Sequence, residues 1–323
     1  MSATAFIFPG QGSQSVGMGA DLAAAFPAAR DVFEEVDDAL GQKLSAVIFE
    51  GPAEDLTKTE NTQPALMAVS MAVLRVLEKE GGLDITQAAA LLAGHSLGEY
   101  SALAAGRSFS LSGAARLLRL RGQAMQKAVP AGEGGMAALI GVTQEQAEEI
   151  CRRAAVLVVE NGPDRHELIE IANDNGGGQI VISGQVGAID RSLAIAKELG
   201  VKRAVKLPVS APFHCSLMRP AADAMGEALE RADVSAPVVP LVANVTAAKV
   251  TAPDMIRRLL VEQVTGTVRW RESVEAMAAM GITRFVEIGA GKVLSGLVRR
   301  ITPDAETVSV GSVGDIEAFL KSV

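Results

Sequence analysis

Residue types that anchor several common chemistries are scarce in this sequence. Its 323 residues include two cysteines, Cys151 and Cys215, and three histidines, His95, His166 and His214. Two cysteines cannot build a disulfide framework or a cysteine zinc site. No histidine has metal-ligand spacing, and His166-Glu167 lacks the second histidine of an HExxH helix, so no metal is expected. Aromatics make up only 3%, which leaves the core to Ala, Val, Leu and Ile. Basic charge is also short: 30 Lys+Arg against 38 Asp+Glu give a net charge of -8, the opposite of a nucleic-acid-binding footprint. No apolar run is long enough to span a bilayer. The start, MSATAFIFPGQG, has no basic segment of a signal peptide. We therefore expect a cytoplasmic protein that binds neither nucleic acid nor membrane.

Apolar residues are abundant. At 49% hydrophobic and 21% charged, the chain can bury a large core. Its length suits one large domain with a smaller one attached. Thr4 to Phe8 reads as a buried strand running into the turn Pro9-Gly10-Gln11-Gly12. Amphipathic helices follow to about Gly81, and Ala88 to Ala93 reads as a central parallel strand. Gly132 to Gly135 reads as a linker. Beyond it the texture shifts to short strands (MAALIGV, VLVVE, LIEIAN, QIVISG, VKRAVKL) with helices near 144–154 and 186–199. Strands and two helices over some 75 residues suggest a small ferredoxin-like α+β subdomain. The expected fold is α/β, with a parallel-sheet core from 1–131 and 208–323 and an inserted subdomain at 132–207.

Gly94-His95-Ser96-Leu97-Gly98 is a GxSxG motif after an apolar strand and before a helix. That context suits a nucleophile elbow, in which a sharp turn projects the serine hydroxyl and flanking glycines permit close backbone packing. The Leu97 N–H, at the helix N-terminus, is placed to stabilise an oxyanion. Ser96 then needs a base. Neighbouring side chains on an elbow point apart, so His95 is better read as a buried structural histidine. His166 lies by a turn, Asn161 to Asp164, and reads as solvated. His214, on a loop stiffened by Pro212, is left as general base by elimination. A histidine at a helix N-terminus is an equally good reading of His214 on the residues alone. Cys215 reads as a packing residue. Gly10-Gln11-Gly12-Ser13-Gln14-Ser15 lacks the third glycine of a dinucleotide fingerprint. Val286 and Val293 break the P-loop pattern around Gly291-Lys292.

Five motifs occur in one order: Gly10-Gln11-Gly12-Ser13-Gln14, Gly94 to Tyr100, Arg121-Gly122, Pro212-Phe213-His214 and Val286-Glu287-Ile288-Gly289. In these the chain resembles, over its whole length, the malonyl-CoA:acyl carrier protein transacylases of bacterial fatty-acid synthesis. The resemblance implies a hydrolase-like core with an inserted ferredoxin-like subdomain, in agreement with the periodicity. It also implies that Ser96 is malonylated, His214 activates it and Arg121 binds the malonyl carboxylate. Gln11 and Leu97 would supply oxyanion amides, and a carbonyl oxygen of Gln263 would orient the histidine. Asn175 and Gln179 resemble residues that recur near the site. The implied partners are malonyl-CoA and holo acyl carrier protein. No cofactor is implied, and the expected state is a monomer. Spacing alone leaves Arg121 as readily a surface helix arginine.

Two departures stand out. Glu160 to Glu170 is longer than the hairpin of compact family members. Phe213 stands where some members have a small residue; in related polyketide acyltransferases Phe there goes with malonyl and Ser with methylmalonyl. Carrier proteins are acidic, so an acidic enzyme needs a local basic patch. Lys202 and Lys206, with one helical cluster such as Arg116/Arg119 or Arg299-Arg300, are the candidates for the mouth of the site. Trp270 is expected to pack between the subdomains. The residues alone also admit an esterase or thioesterase on the same elbow, with an acid among Asp164, Asp174 and Asp190, and a non-catalytic carrier-binding scaffold.

Overall fold

The computed structural model describes residues 3–159, 163–209 and 211–322. In chain order the strands are β1 (Ala3–Phe8), β2 (Leu91–Gly94), β3 (Gly134–Ile140), β4 (Val156–Leu157), β5 (Arg165–His166), β6 (Ile169–Asp174) and β7 (Gln179–Gln185). They continue with β8 (Arg203–Lys206), β9 (Leu241–Ala243), β10 (Ala248–Val250), β11 (Val268–Arg269), β12 (Ile282–Ile288) and β13 (Glu306–Val310). The larger sheet has the order β10-β9-β2-β1-β12-β13 and is parallel except for β10. Both faces of β1 are covered. Phe6 and Phe8 enter the main core, while Ala5 and Ile7 pack into a second cluster with Trp270, Val274 and Leu294. Burial on both faces is why this strand is a continuous apolar run rather than an alternating one.

The second sheet follows β3-helix-β6-β7-helix-β8, in spatial order β8-β3-β7-β6 with all neighbours antiparallel, the ferredoxin-like arrangement. Its helices, Gln144–Ala154 and Val186–Glu198, cover Ala137, Leu139, Ile180 and Ile182. The alternate residues Met136, Ala138 and Val181 face the main core. This sheet gains a fifth strand from outside the 132–207 segment: β11 pairs in parallel with β6, Val268 opposite Asn173. The same edge is fixed by Thr267 Oγ1 donating to the Ile171 carbonyl at 2.7 Å, and by Arg271 Nε donating to Asp174 Oδ2 at 2.8 Å.

Three sequence expectations need correction. The run Ala88 to Ala93 is not all strand: the Asp84 carboxylate accepts from the Thr86 N–H and starts a helical turn, Ile85–Ala88, so β2 begins at Leu91. Gly134 and Gly135 are not linker but the first residues of β3, opposite Gln185 and Gly184. A Cβ on Gly134 would collide with the Pro212 ring, so glycine there lets the His214 loop lie close to the strand. VLVVE yields only β4, which pairs with β5 in a hairpin apart from the main sheets. Glu160, Asn161 and Gly162, within the long hairpin and its turn, lie outside the described residues. Trp270 is fully buried in the second cluster, beside Val268 of β11 and residues of β1 and β2. Among the described residues no helix is long and apolar enough to cross a membrane.

Candidate active site

Phe8 pairs with Gly94, so β1 and β2 end side by side and their loops meet at the C-terminal edge of the sheet. The elbow follows at once. Ser96 has φ 54°, a left-handed conformation that a non-glycine residue holds only where its surroundings enforce it. A Cβ on Gly94 would overlap the Gly98 carbonyl, and one on Gly98 would overlap the Phe8 carbonyl. Both glycines of the motif are therefore required by packing. Asn244 clamps the turn: its Oδ1 accepts from the Ser96 N–H at 2.8 Å and its Nδ2 donates to the Gly94 carbonyl at 2.7 Å. The Ser96 amide is thus occupied, and the next amide, Leu97, heads the helix Gly98–Ala105. Gly10 brings the β1 loop against the elbow, since a Cβ there would lie 2.7 Å from the His95 carbonyl. Gln11 and Leu97 thereby line the same cavity as Ser96.

His214 is the second non-glycine site residue with a positive φ, 58°. It is 4% exposed, and its Nε2 lies 2.7 Å from Ser96 Oγ. Nδ1 donates to the main-chain carbonyl of Gln263 at 2.9 Å, which leaves Nε2 as the acceptor for the serine proton. Burial, and then the Arg121 charge, push the imidazole pKa down to about 3, so the ring is neutral and ready to accept. Asp174 is engaged by Arg271 and Asp190 by Lys206, and Asp164 is exposed, so the Nδ1 partner is the Gln263 carbonyl and not one of the candidate hydrolase acids. The Cys215 thiol donates to the Pro212 carbonyl at 3.1 Å, and burial pushes its pKa up to about 11, which fits packing rather than attack.

Arg121 is 1% exposed, not a surface arginine. Its Nη1 donates to Gln63 Oε1 at 2.7 Å; Nη2 donates to Gln263 Oε1 at 2.9 Å and Ser96 Oγ at 3.2 Å. Gly122 explains the pairing: a Cβ there would lie 2.5 Å from Glu60 Cα, so glycine lets Leu111–Lys127 approach Thr59–Lys79 closely enough for Gln63 to reach the guanidinium. Gln63 Nε2 donates to Thr59 Oγ1, whose hydroxyl donates to Gln11 Oε1, tying the arginine to the β1 loop. Among the described residues the guanidinium's hydrogen-bond partners are all uncharged oxygens.

These groups border a cavity of about 350 Å³ with a mostly apolar wall that includes Met125, Val181, Phe213 and Leu297. Asn175 and Gln179 also reach it, and Asn175 Oδ1 lies 2.8 Å from His95 Nε2. His95 is half-buried and lines the cavity, which corrects its reading as a purely internal residue. Lys202 and Lys206 do not line the cavity, and Lys206 is paired with Asp190 at 2.7 Å. The sequence reading missed Gln63, Asn244 and Glu99. All three are buried. Gln63 and Asn244 meet the site only through residues distant in the chain, so no local pattern announces them, while Glu99 lies within the elbow motif but its partners Gln263 and Asn244 are distant.

A hydroxyl aimed at a neutral imidazole, beside an elbow amide and a buried cation, is equipped for nucleophilic acyl transfer. The comparisons agree. Residues 5–316 match the family model of the acyl transferase domain. The chain is 45% identical to the malonyl CoA-acyl carrier protein transacylase of Bacillus subtilis, over 100% of this chain and 98% of that one. It superposes on the crystal structure of an acyl-carrier-protein-S-malonyltransferase from Bartonella henselae with a TM-score of 0.93 and 56% identity, covering 99% of each. A malonyl-transacylase in complex with a type II PKS acyl-carrier protein matches with a TM-score of 0.93 and 41% identity, covering 100% of each chain. On fold, elbow and full-length similarity alike, this chain belongs to the acyl transferase family, among the malonyl CoA-acyl carrier protein transacylases.

Proposed function

We propose that this chain moves a malonyl group from malonyl-CoA to the phosphopantetheine thiol of holo acyl carrier protein, by way of a malonyl-Ser96 intermediate, in fatty-acid synthesis. One observation carries the choice of acyl group. Arg121 is a buried cation whose hydrogen bonds go to neutral oxygens, 3.2 Å from the nucleophile. A guanidinium can hold a carboxylate by two parallel hydrogen bonds, and malonyl is a short acyl group that ends in one.

In the first half-reaction Ser96 Oγ attacks the thioester carbonyl and its proton passes to His214 Nε2. The Gln11 and Leu97 amides receive the oxyanion. The intermediate collapses, the C–S bond breaks, and His214 returns the proton to the departing CoA sulfur. In the second half the carrier thiol gives its proton to His214 and attacks the acyl-serine, and the proton ends on Ser96 Oγ. The Gln263 carbonyl keeps the imidazole in the required tautomer throughout. The bound malonyl carboxylate offsets the Arg121 charge that depresses the imidazole, so substrate binding makes His214 a better base.

The scheme draws on no resident cofactor, since CoA and phosphopantetheine enter as substrates. The carrier as partner is supported by the similar transacylase in complex with a carrier protein. A cytoplasmic site of action and a monomer belong to the same proposal. Every reacting group comes from one chain, and light scattering at twice the single-chain mass would count against the monomer. Initial rates at several fixed carrier concentrations should give parallel double-reciprocal lines against malonyl-CoA; intersecting lines would refute the acyl-enzyme route.

A further inference from the structure

Glu99 has no part in the steps above, yet its side chain is 1% exposed and lies among the hydrogen bonds that organise the site. It follows Ser96 by three residues, so the first turn of the elbow helix carries it inward beneath the nucleophile. Its Oε2 accepts from the Asn244 main-chain N–H at 3.0 Å and from Gln263 Nε2 at 2.9 Å. Gln263 Nε2 also donates to the Ser96 carbonyl at 3.0 Å. With the amide nitrogen committed to these acceptors, Gln263 Oε1 is left facing Arg121 Nη2 at 2.9 Å. The reverse orientation would set amide N–H groups against a guanidinium that can only donate.

Gln263 therefore stands between Glu99 and Arg121. A direct Glu99–Arg121 pair would fill the arginine's fork with a carboxylate of the protein and compete with that of a substrate. We propose that Glu99 is a positioning residue for acyl selection: its Oε2 fixes the Gln263 amide so that Oε1 holds Arg121 open to an incoming carboxylate beside Ser96. This rests on the reading of Arg121 given above. The acceptor survives protonation, because a proton on Oε1 leaves Oε2 free.

The test compares loading of Ser96 from malonyl-CoA and from acetyl-CoA, followed by intact mass, in four proteins: native, Glu99→Gln, Glu99→Met and Arg121→Ala. Glu99→Met fills the space without an acceptor and should lower the malonyl-to-acetyl ratio of kcat/KM about tenfold, mainly through KM for malonyl-CoA, as expected for one misdirected hydrogen bond to a charged group. Glu99→Gln keeps an acceptor and should hold the ratio within about threefold of native. A general structural defect would depress both substrates together and leave the ratio alone. Should the Met variant fail to fold, judged by the fluorescence of the single Trp270, Glu99→Ala takes its place, and the outcome for Glu99→Gln stands independently. If Arg121→Ala collapses the ratio while removal of the Glu99 acceptor does not, the proposal is overturned. It is equally overturned if a folded Glu99→Gln is as unselective as Glu99→Met. If Arg121→Ala itself leaves the ratio intact, the Arg121 reading fails first and takes this one with it.

Discussion

Ser96, His214 and Arg121 meet within 3.2 Å, and two of the three have a backbone that disfavours any residue but glycine. Such conformations persist only where the surroundings over-determine them, here through Asn244 at the serine and the Gln263 carbonyl at the histidine. Arg121 should set the acyl preference. Breaking a buried charge pair by removing one partner costs roughly 3–5 kcal/mol. Arg121→Ala should thus lower kcat/KM for malonyl-CoA by about two to four decades at ~1.4 kcal/mol per decade, with acetyl-CoA much less affected. Equal losses for the two thioesters would contradict that role. His214 should set the acid limb of the loading rate. Below its pKa the imidazole is protonated and cannot accept the serine proton, so the rate falls as pH drops through that value. With the pKa held down to about 3 in the free enzyme, kcat/KM for loading should stay level from about pH 8 to about pH 5. A limb centred near pH 6.5 would contradict this; Glu99→Gln distinguishes it from titration of Glu99, whose carboxyl is pushed up to about 7 by burial.

Among the elements, the glycines of the motifs are explained by what a Cβ would strike. Gly94 and Gly98 let β2, the elbow helix and β1 close on one another, and Gly122 lets two helices meet behind Arg121. Gly94→Ala should cost about 3 kcal/mol or more in urea unfolding, because the neighbouring atoms are backbone and cannot step aside. Gly296→Ala, within the helix Val293–Ile301 and with nothing near its Cβ, should instead gain up to about 1 kcal/mol. Equal effects would refute this view of the elbow. The elbow was legible in the sequence because strand, turn and helix are contiguous and each has its own period. The start of β2 was not, because an apolar run does not distinguish a helical turn from a strand and the deciding contact is the Asp84 cap. Gln63 and Asn244 were illegible for another reason: they serve residues 58 and 148 positions away.

For the whole molecule, the insertion of a second α+β unit was readable from the change in texture after Gly132. Its attachment was not. β11 is two residues long, and it joins the inserted sheet to the core at the β6 edge, where Arg271 and Thr267 also hold. Met136, Ala138 and Val181 of that sheet then wall the cavity opposite the elbow. The placement of cations is a further whole-molecule property that sequence did not give. Lys206 pairs with Asp190 on the surface, and neither it nor Lys202 borders the cavity. The two-step transfer is best tested on the intact protein by mass spectrometry after brief mixing with malonyl-CoA or acetyl-CoA, followed by holo carrier protein. A malonyl adduct should form on Ser96, pass to the carrier thiol, and have little acetyl counterpart. No adduct with either thioester, or one that drains only to water in the presence of carrier, would contradict a malonyl-serine intermediate in carrier-directed transfer.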